Sequence, residues 1–297
     1  MHLISASRRT DIPAFYARWL MERIRAGKAS WVNPYGGPIT TVSLAPDDVA
    51  AIVFWTRNFA PMMRHLDEME GRGHRYLVHF TITILPRLYE THVPAVRTAA
   101  AQFRKLADRV GPDRVHWRYD PILISPATGP DFHLRAFESL ASALEGATRQ
   151  CSISFVQVYG KVRRGFTRRG LPLPAPDPEM RRALAARLGE TAAAKGITVK
   201  ACCNDDLIGP GVEKGRCVDR DQVRRLWPHL EFDAGPVPSR EGCGCSRSCD
   251  IGAYDTCLHG CVYCYATRDR QAAKERHAEH DPGSETLIAV RKPEPVR

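Results

Sequence analysis

The chain lacks any apolar run approaching the roughly 20 residues that span a bilayer, so no membrane association is expected. Its opening residues, Met1-His2-Leu3-Ile4-Ser5, lack a basic segment followed by an apolar stretch, so no secretory peptide is read and a cytoplasmic location is expected. No internal repeat is visible beyond a strand–helix unit. Cysteine, in contrast, is abundant. A secreted chain would use ten cysteines for disulfides, whereas in a reducing compartment clustered thiols serve more often as metal ligands or catalytic groups. Six of the ten fall between Cys243 and Cys264, which scattered core cysteines would not do.

The remaining composition is that of a packed globular protein: 297 residues, 43% hydrophobic and 26% charged. Lys and Arg outnumber Asp and Glu by 43 to 33, a formal charge of +10, with a dense run over residues 161–169. That balance admits a phosphate-bearing or nucleic-acid partner; the plain alternative is a solvated basic face.

Short β-branched or aromatic runs at 2–7, 51–56, 76–83, 115–118, 152–157 and 198–202 read as buried strands, with a further edge piece at 39–44. Amphipathic stretches at 13–26, 60–71, 93–110, 132–144 and 178–195 read as helices, with Asp11 and Asp177 as start signals and Gly27 and Gly196 as stops. The alternation predicts an α/β fold, a parallel sheet closing as a partial (β/α)6 TIM-like barrel. Residues 1–202 form the expected barrel core. Residues 203–282 form a cysteine-rich segment completing the same domain, and 283–297 a loose tail.

The segment Cys257-Leu-His-Gly-Cys261-Val-Tyr-Cys264-Tyr-Ala has the spacing C-x3-C-x2-C. Three close thiolates suit a 4Fe–4S cluster with one open iron better than a tetrahedral zinc, which wants four ligands. Gly260 permits a tight bend, and Tyr263 offers a flat face. Cys202, Cys217, Cys243 and Cys245 read as a second group, for another cluster or for zinc, with Cys203 and Cys249 as competing ligands. Arg57, Arg118, Asp120 and Tyr159 fall at expected strand ends, where barrel sites assemble. An Arg118–Asp120 ion pair and a catalytic role for both are left open, and Tyr159 is a candidate for proton or hydrogen transfer.

The C-x3-C-x-aromatic-C loop followed by Tyr265-Ala266 resembles that of radical S-adenosylmethionine enzymes, especially the group containing spore photoproduct lyase. Phe54-Trp-Thr-Arg-Asn58, Val115-His-Trp-Arg-Tyr-Asp-Pro121 and Ser5-Ala-Ser-Arg-Arg-Thr-Asp-Ile-Pro13 add likeness to an uncharacterised bacterial domain-of-unknown-function family with the same C-terminal cysteine block. The resemblance implies cluster ligation by Cys257, Cys261 and Cys264, and S-adenosylmethionine bound near Tyr263 and Arg57. It further implies a 5′-deoxyadenosyl radical that abstracts hydrogen from substrate, and an electron donor such as flavodoxin or ferredoxin. The loop follows every strand instead of the first, so the barrel is expected to be circularly permuted, with 198–202 as the strand before the loop. The Gly-Gly-Glu usual at the second strand is absent; Arg8, Arg9 and Asp11 stand near its place, where they are expected to hold the methionine group. The alternative function is a non-enzymatic zinc- or iron–sulfur-containing nucleic-acid-binding protein.

Overall fold

The computed structural model describes residues 1–33, 38–237 and 242–288. In chain order the elements are β1 (His2–Ala6), α1 (Ile12–Phe15), α2 (Ala17–Arg25), β2 (Lys28–Val32), β3 (Ile39–Ser43), β4 (Val49–Thr56), α3 (Ala60–Met63), α4 (Leu66–Gly71), β5 (Tyr76–Thr81) and α5 (Val96–Val110). They continue with β6 (Val115–Ile122), α6 (Pro130–Ala143), β7 (Gln150–Phe155), α7 (Gly160–Arg168), α8 (Pro178–Ala193), β8 (Thr198–Ala201), β9 (Val212–Lys214), α9 (Arg220–Leu226), β10 (Cys249–Asp250) and α10 (Arg270–Ala278). Eight strands form one sheet in the order β10-β1-β4-β5-β6-β7-β8-β9, every pair parallel, while β2 and β3 form a separate antiparallel hairpin.

The sheet is laid out with two edges, β10 and β9, so the barrel closure expected from the alternation is not shown. A second difference concerns the strand before the cysteine loop. Residues 198–202 lie near the far edge, beside β7, and the loop instead follows β10, which pairs with β1. Two residues are too few to carry a periodic pattern. The helix expected over 13–26 breaks at Tyr16 (φ −134°, ψ 23°), where the hydroxyl donates to the Thr256 carbonyl at 2.8 Å. Residues 161–169, read as a charge run, are mostly helix α7. Residues 283–288, expected to begin the tail, are docked: Trp19 Nε1 donates to the Ser284 carbonyl at 2.9 Å, Arg23 to that of Gly283 at 2.9 Å, and Leu287 is buried. The rest of the expected tail, 289–297, lies outside the described residues.

Alternation along the strands divides the sheet into two faces. Ile4, Ile52, Phe54, Val78, Phe80, Trp117 and Val199 enter one large core with the residues of α1, α2, α5, α6 and α8. Leu3, Ala51, Val53 and Leu77 face the other way, against Val218, Val223, Phe232 and the thiols Cys202, Cys217 and Cys245. Trp117 stacks on Phe137 at 4.7 Å between centroids; burying each such ring stabilises by about 1.5–3 kcal/mol. Helices α1, α2, α5, α6 and α8 therefore cover one face, and the segment between β9 and β10, which includes α9, fills the other. No helix among the described residues is long and apolar enough to cross a membrane.

His116 and His133 are buried in this framework, and burial holds both pKa values below the ordinary histidine value, with His79 adding to the effect on His116. Below about pH 6.5 the unfolded chain takes up protons that the folded chain refuses, at up to about 1.4 kcal/mol per pH unit per histidine. Stability is thus present above that pH and lost as pH falls. The urea midpoint is expected to drop between about pH 7 and pH 5 and to drop less in His116→Gln; a flat midpoint there would contradict it.

Candidate functional site

The cysteine loop is fastened to the end of β1 by one carboxylate. Asp250 accepts from Ser5 Oγ at 2.8 Å, Ser7 Oγ at 2.6 Å, the Arg8 amide at 2.8 Å and the Gly252 amide at 3.1 Å, and pairs with Arg9 Nε at 4.0 Å. Gly252 follows because a Cβ there would lie 2.1 Å from Ser7 Oγ. Farther on, Val262 N donates to the Tyr89 carbonyl at 2.9 Å and His92 N to that of His259 at 3.0 Å. From outside, α7 presses on the loop at Gly165, where a Cβ would sit 2.7 Å from the Val262 carbonyl oxygen. Cys257, Cys261 and Cys264 line one cavity of about 270 Å³, together with His259, Gly260 and Thr267.

Behind the thiols stands a buried charge network. Asp11 Oδ1 caps α1 through the Ala14 amide at 3.0 Å; Oδ2 accepts from the Arg57 amide at 2.7 Å and meets His259 Nε2 at 2.8 Å. His259 is 4% exposed, its ring 4.7 Å from that of Phe15. The Arg57 guanidinium pairs with Glu90 at 2.9 Å and donates to Thr83 Oγ1 at 3.2 Å and Tyr263 Oη at 2.6 Å. Thr83 and the Tyr263 hydroxyl both donate to Glu90. Burial alone would weaken the Arg57 cation, but Glu90, Tyr263 and the nearby thiols more than offset that and raise its pKa. Tyr263 itself is buried, packed with Leu85, Tyr89, Leu123 and Val162.

Burial pushes the Cys261 thiol up to about 12 against the pull of Arg57, and burial, Cys264 and Asp11 raise Cys257. Three thiols share one cavity and at least two resist ionisation, so any cation bound there would have to displace their protons. Among the described residues no three His, Cys, Asp or Glu side chains are already gathered as ligands of a single ion.

Cys202, Cys203, Cys217, Cys243 and Cys245 meet on the sheet face opposite the helical core, while Cys151 lies within that core. Cys202 Sγ lies 3.1 Å from Cys217 Sγ and 3.9 Å from Cys203 Sγ. Hydrogen bonds with Cys202 and Cys245 lower the Cys217 pKa, and Arg118, donating to its sulfur at 3.2 Å, lowers it further. Cys243 packs against the same apolar cluster, whereas Cys249 pairs with β1. Arg118 does pair with Asp120, which also accepts from Ser154 Oγ. Its guanidinium lies 5.0 Å from the Trp55 ring centre, and that of Arg8 lies 5.4 Å from the same ring. Tyr265, whose hydroxyl donates to the Arg8 carbonyl at 2.8 Å, stands between the two thiol groups, near Cys264 on one side and Arg8 and Arg118 on the other.

The expected residues therefore follow β1, β4 and β7 or, for Arg118 and Asp120, lie within β6, which runs on to Ile122, and Arg8, Arg9 and Asp11 have separate surroundings. Arg8 turns to the second thiol group; Arg9 lies over Tyr254 at 5.3 Å and Trp31 at 5.8 Å; Asp11 is taken up by His259 and Arg57. Adjacent residues leaving a strand cannot all point one way. Tyr159 is 41% exposed, its hydroxyl donating to Gln157 and its ring 6.2 Å from that of Tyr265. Sequence reasoning missed Glu90 and Asp250, single acidic residues with no motif around them. A signal was present only in the chemistry, since Arg57 at a strand end needs a counter-charge.

Removing one member of a buried pair costs about 3–5 kcal/mol, while replacing both by apolar groups is often near neutral. Glu90→Leu is therefore expected to lower unfolding free energy by about that amount, and Arg57→Met/Glu90→Leu to recover most of it. Additive losses in a urea double-mutant cycle would show that the pair does not act as a unit.

Comparison with curated proteins gives no match. The family described as "Domain of unknown function (DUF1848)" matches residues 3–266, from β1 through the last of the three loop cysteines. Both the sheet and the cysteine loop fall inside that match, and the chain belongs to this family.

Proposed function

We propose that the protein is a radical S-adenosylmethionine enzyme, built on a circularly permuted (β/α)6-type partial barrel. The observation that carries the reading is the convergence of Cys257, Cys261 and Cys264 on one cavity, which the loop after β10 forms with α7 and the start of α10. Two features of the fold support the permutation. The strand before the loop lies beside β1, so β10, β1, β4, β5, β6 and β7 follow one another in space, and the helical core lies on a single face. Cys257, Cys261 and Cys264 would hold a 4Fe–4S cluster, and that cluster would supply the electron for cleavage of S-adenosylmethionine to a 5′-deoxyadenosyl radical.

The chain's own residues then have distinct tasks. Asp11 fixes the loop by holding His259 and the Arg57 backbone together. Arg57, balanced by Glu90, keeps a positive charge beside Cys261 and orients the Tyr263 hydroxyl. Arg118, Asp120 and Tyr159 form the substrate side, where Asp120 and Ser154 fix the guanidinium. The net charge of +10 favours an anionic substrate, a nucleotide or nucleic acid. The second thiol group is proposed to bind a further metal centre.

Protein purified without oxygen is expected to be brown, with about four irons and four acid-labile sulfides on the loop cysteines, or about eight of each if the second group is also filled. Reduced with dithionite, it is expected to convert S-adenosylmethionine to 5′-deoxyadenosine, and Cys261→Ala to abolish that product. A colourless protein with stoichiometric zinc that retains oligonucleotides would instead establish the binding-protein alternative. Unchanged iron in the Cys202/Cys217/Cys243/Cys245 quadruple variant would remove the second centre.

A further inference from the structure

One end of the sheet carries polar side chains on a face that is apolar elsewhere. On the side turned from the helical core, β1, β4 and β5 present Leu3, Ala51, Val53 and Leu77 to the segment that follows β9. At the starts of β6 to β9 the same alternation presents His116, Gln150, Lys200 and Glu213, because Trp117, Cys151, Val199 and Val212 take the core side. Helix α9 buries Val223 in the second apolar cluster, which leaves Gln222 and Arg225, three residues apart, on a neighbouring side. Sheet and helix enclose a cavity of about 200 Å³ there, and it shares no residue with the cavity of the loop thiols.

Its buried side is fixed by His116, which is 2% exposed: Gln222 Nε2 lies 2.6 Å from His116 Nε2 and donates to the Asp113 carbonyl at 3.1 Å. Three cations, Arg149, Lys200 and Arg225, line the cavity against two carboxylates, Asp113 and Glu213. Glu213 comes no nearer to Lys200 than 3.9 Å, and its side chain is 65% exposed. Asp221, next to Gln222 in α9, is engaged by Arg216 at 2.9 Å and Arg220 at 3.4 Å. Among the described residues neither Arg149 nor Arg225 has an ion-pair partner. Two guanidinium groups thus stand beside a neutral, hydrogen-bonding wall with their charge unanswered.

Independently of the function proposed above, we infer that this cavity binds a small anion through its phosphate group, either free phosphate or a short phosphate ester. Such a group carries about −1.5 to −2 charges at pH 7, and guanidinium forks match its oxygens in pairs. The volume falls below the roughly 300–1,000 Å³ of sites for drug-sized ligands, which suits a phosphate on a short carbon body better than a nucleotide. A nucleic-acid strand fits less well, since a run of backbone phosphates calls for cations spaced along a groove, and here they surround one cavity.

The test is calorimetric titration of the full chain with inorganic phosphate and with glycerol 3-phosphate, at matched ionic strength and with glycerol as the blank. Arg149→Gln/Arg225→Gln is compared with Arg182→Gln/Arg187→Gln, an equal loss of charge on α8, across the sheet. At least one phosphate probe is expected to bind one per chain, and the tighter of the two identifies the source as free ion or ester. The first variant is expected to weaken binding about tenfold or more, the second to leave it unchanged. No binding of either probe overturns the inference. So does an unchanged affinity in the first variant, an equal loss in both, or a first variant that loses only oligonucleotide binding. Iron content plays no part in the readout, so failure here and failure of the cofactor reading are separate results.

Discussion

The carboxylate of Asp250 takes four hydrogen bonds, one from β1 itself and two from the turn that follows it. A strand of two residues has almost no ladder of its own, so this side chain and the close approach of Gly252 to Ser7 do what a longer strand would do. They bring a segment some 245 positions away in sequence to the start of the chain. Once it is there, the loop cysteines lie within reach of Asp11, Arg57 and Glu90.

The same placement explains why the charges around the loop are buried. Arg57, Glu90, Asp11 and His259 lie between apolar layers, where an unpaired charge is costly, and each has its partner. Such networks cost desolvation and return fixed geometry. Here the fixed object is a loop with three thiols, two of which resist ionisation because they are buried.

The repeating parts of the fold were legible in the sequence. β4, β5, β6 and β7 are apolar runs long enough to show a pattern, and Asp11 and Asp177 marked helix starts that both prove to be capped by those side chains. What was hidden depends on distant pairing. β10 has two residues; the continuation of 13–26 is cut because Tyr16 turns to a carbonyl 240 residues later; and α7 contains two glycines within a basic run. The loop cysteines were visible by spacing, whereas Glu90 was not, because a lone glutamate in a loop acquires meaning only when Arg57 is brought opposite it. Arg8, Arg9 and Asp11 follow β1 as neighbours, yet backbone direction divides them among three surroundings that the sequence does not show.

The claim on which the account rests is that Cys257, Cys261 and Cys264 leave one metal corner free for a sulfonium cofactor. Electron paramagnetic resonance of the dithionite-reduced, anaerobically prepared protein examines that corner directly. The account predicts a one-electron cluster signal whose shape changes when S-adenosylmethionine is added and which is absent from a Cys257/Cys261/Cys264 triple alanine variant, apart from any contribution of the second group. A signal indifferent to S-adenosylmethionine, or no cluster signal at all, would contradict it.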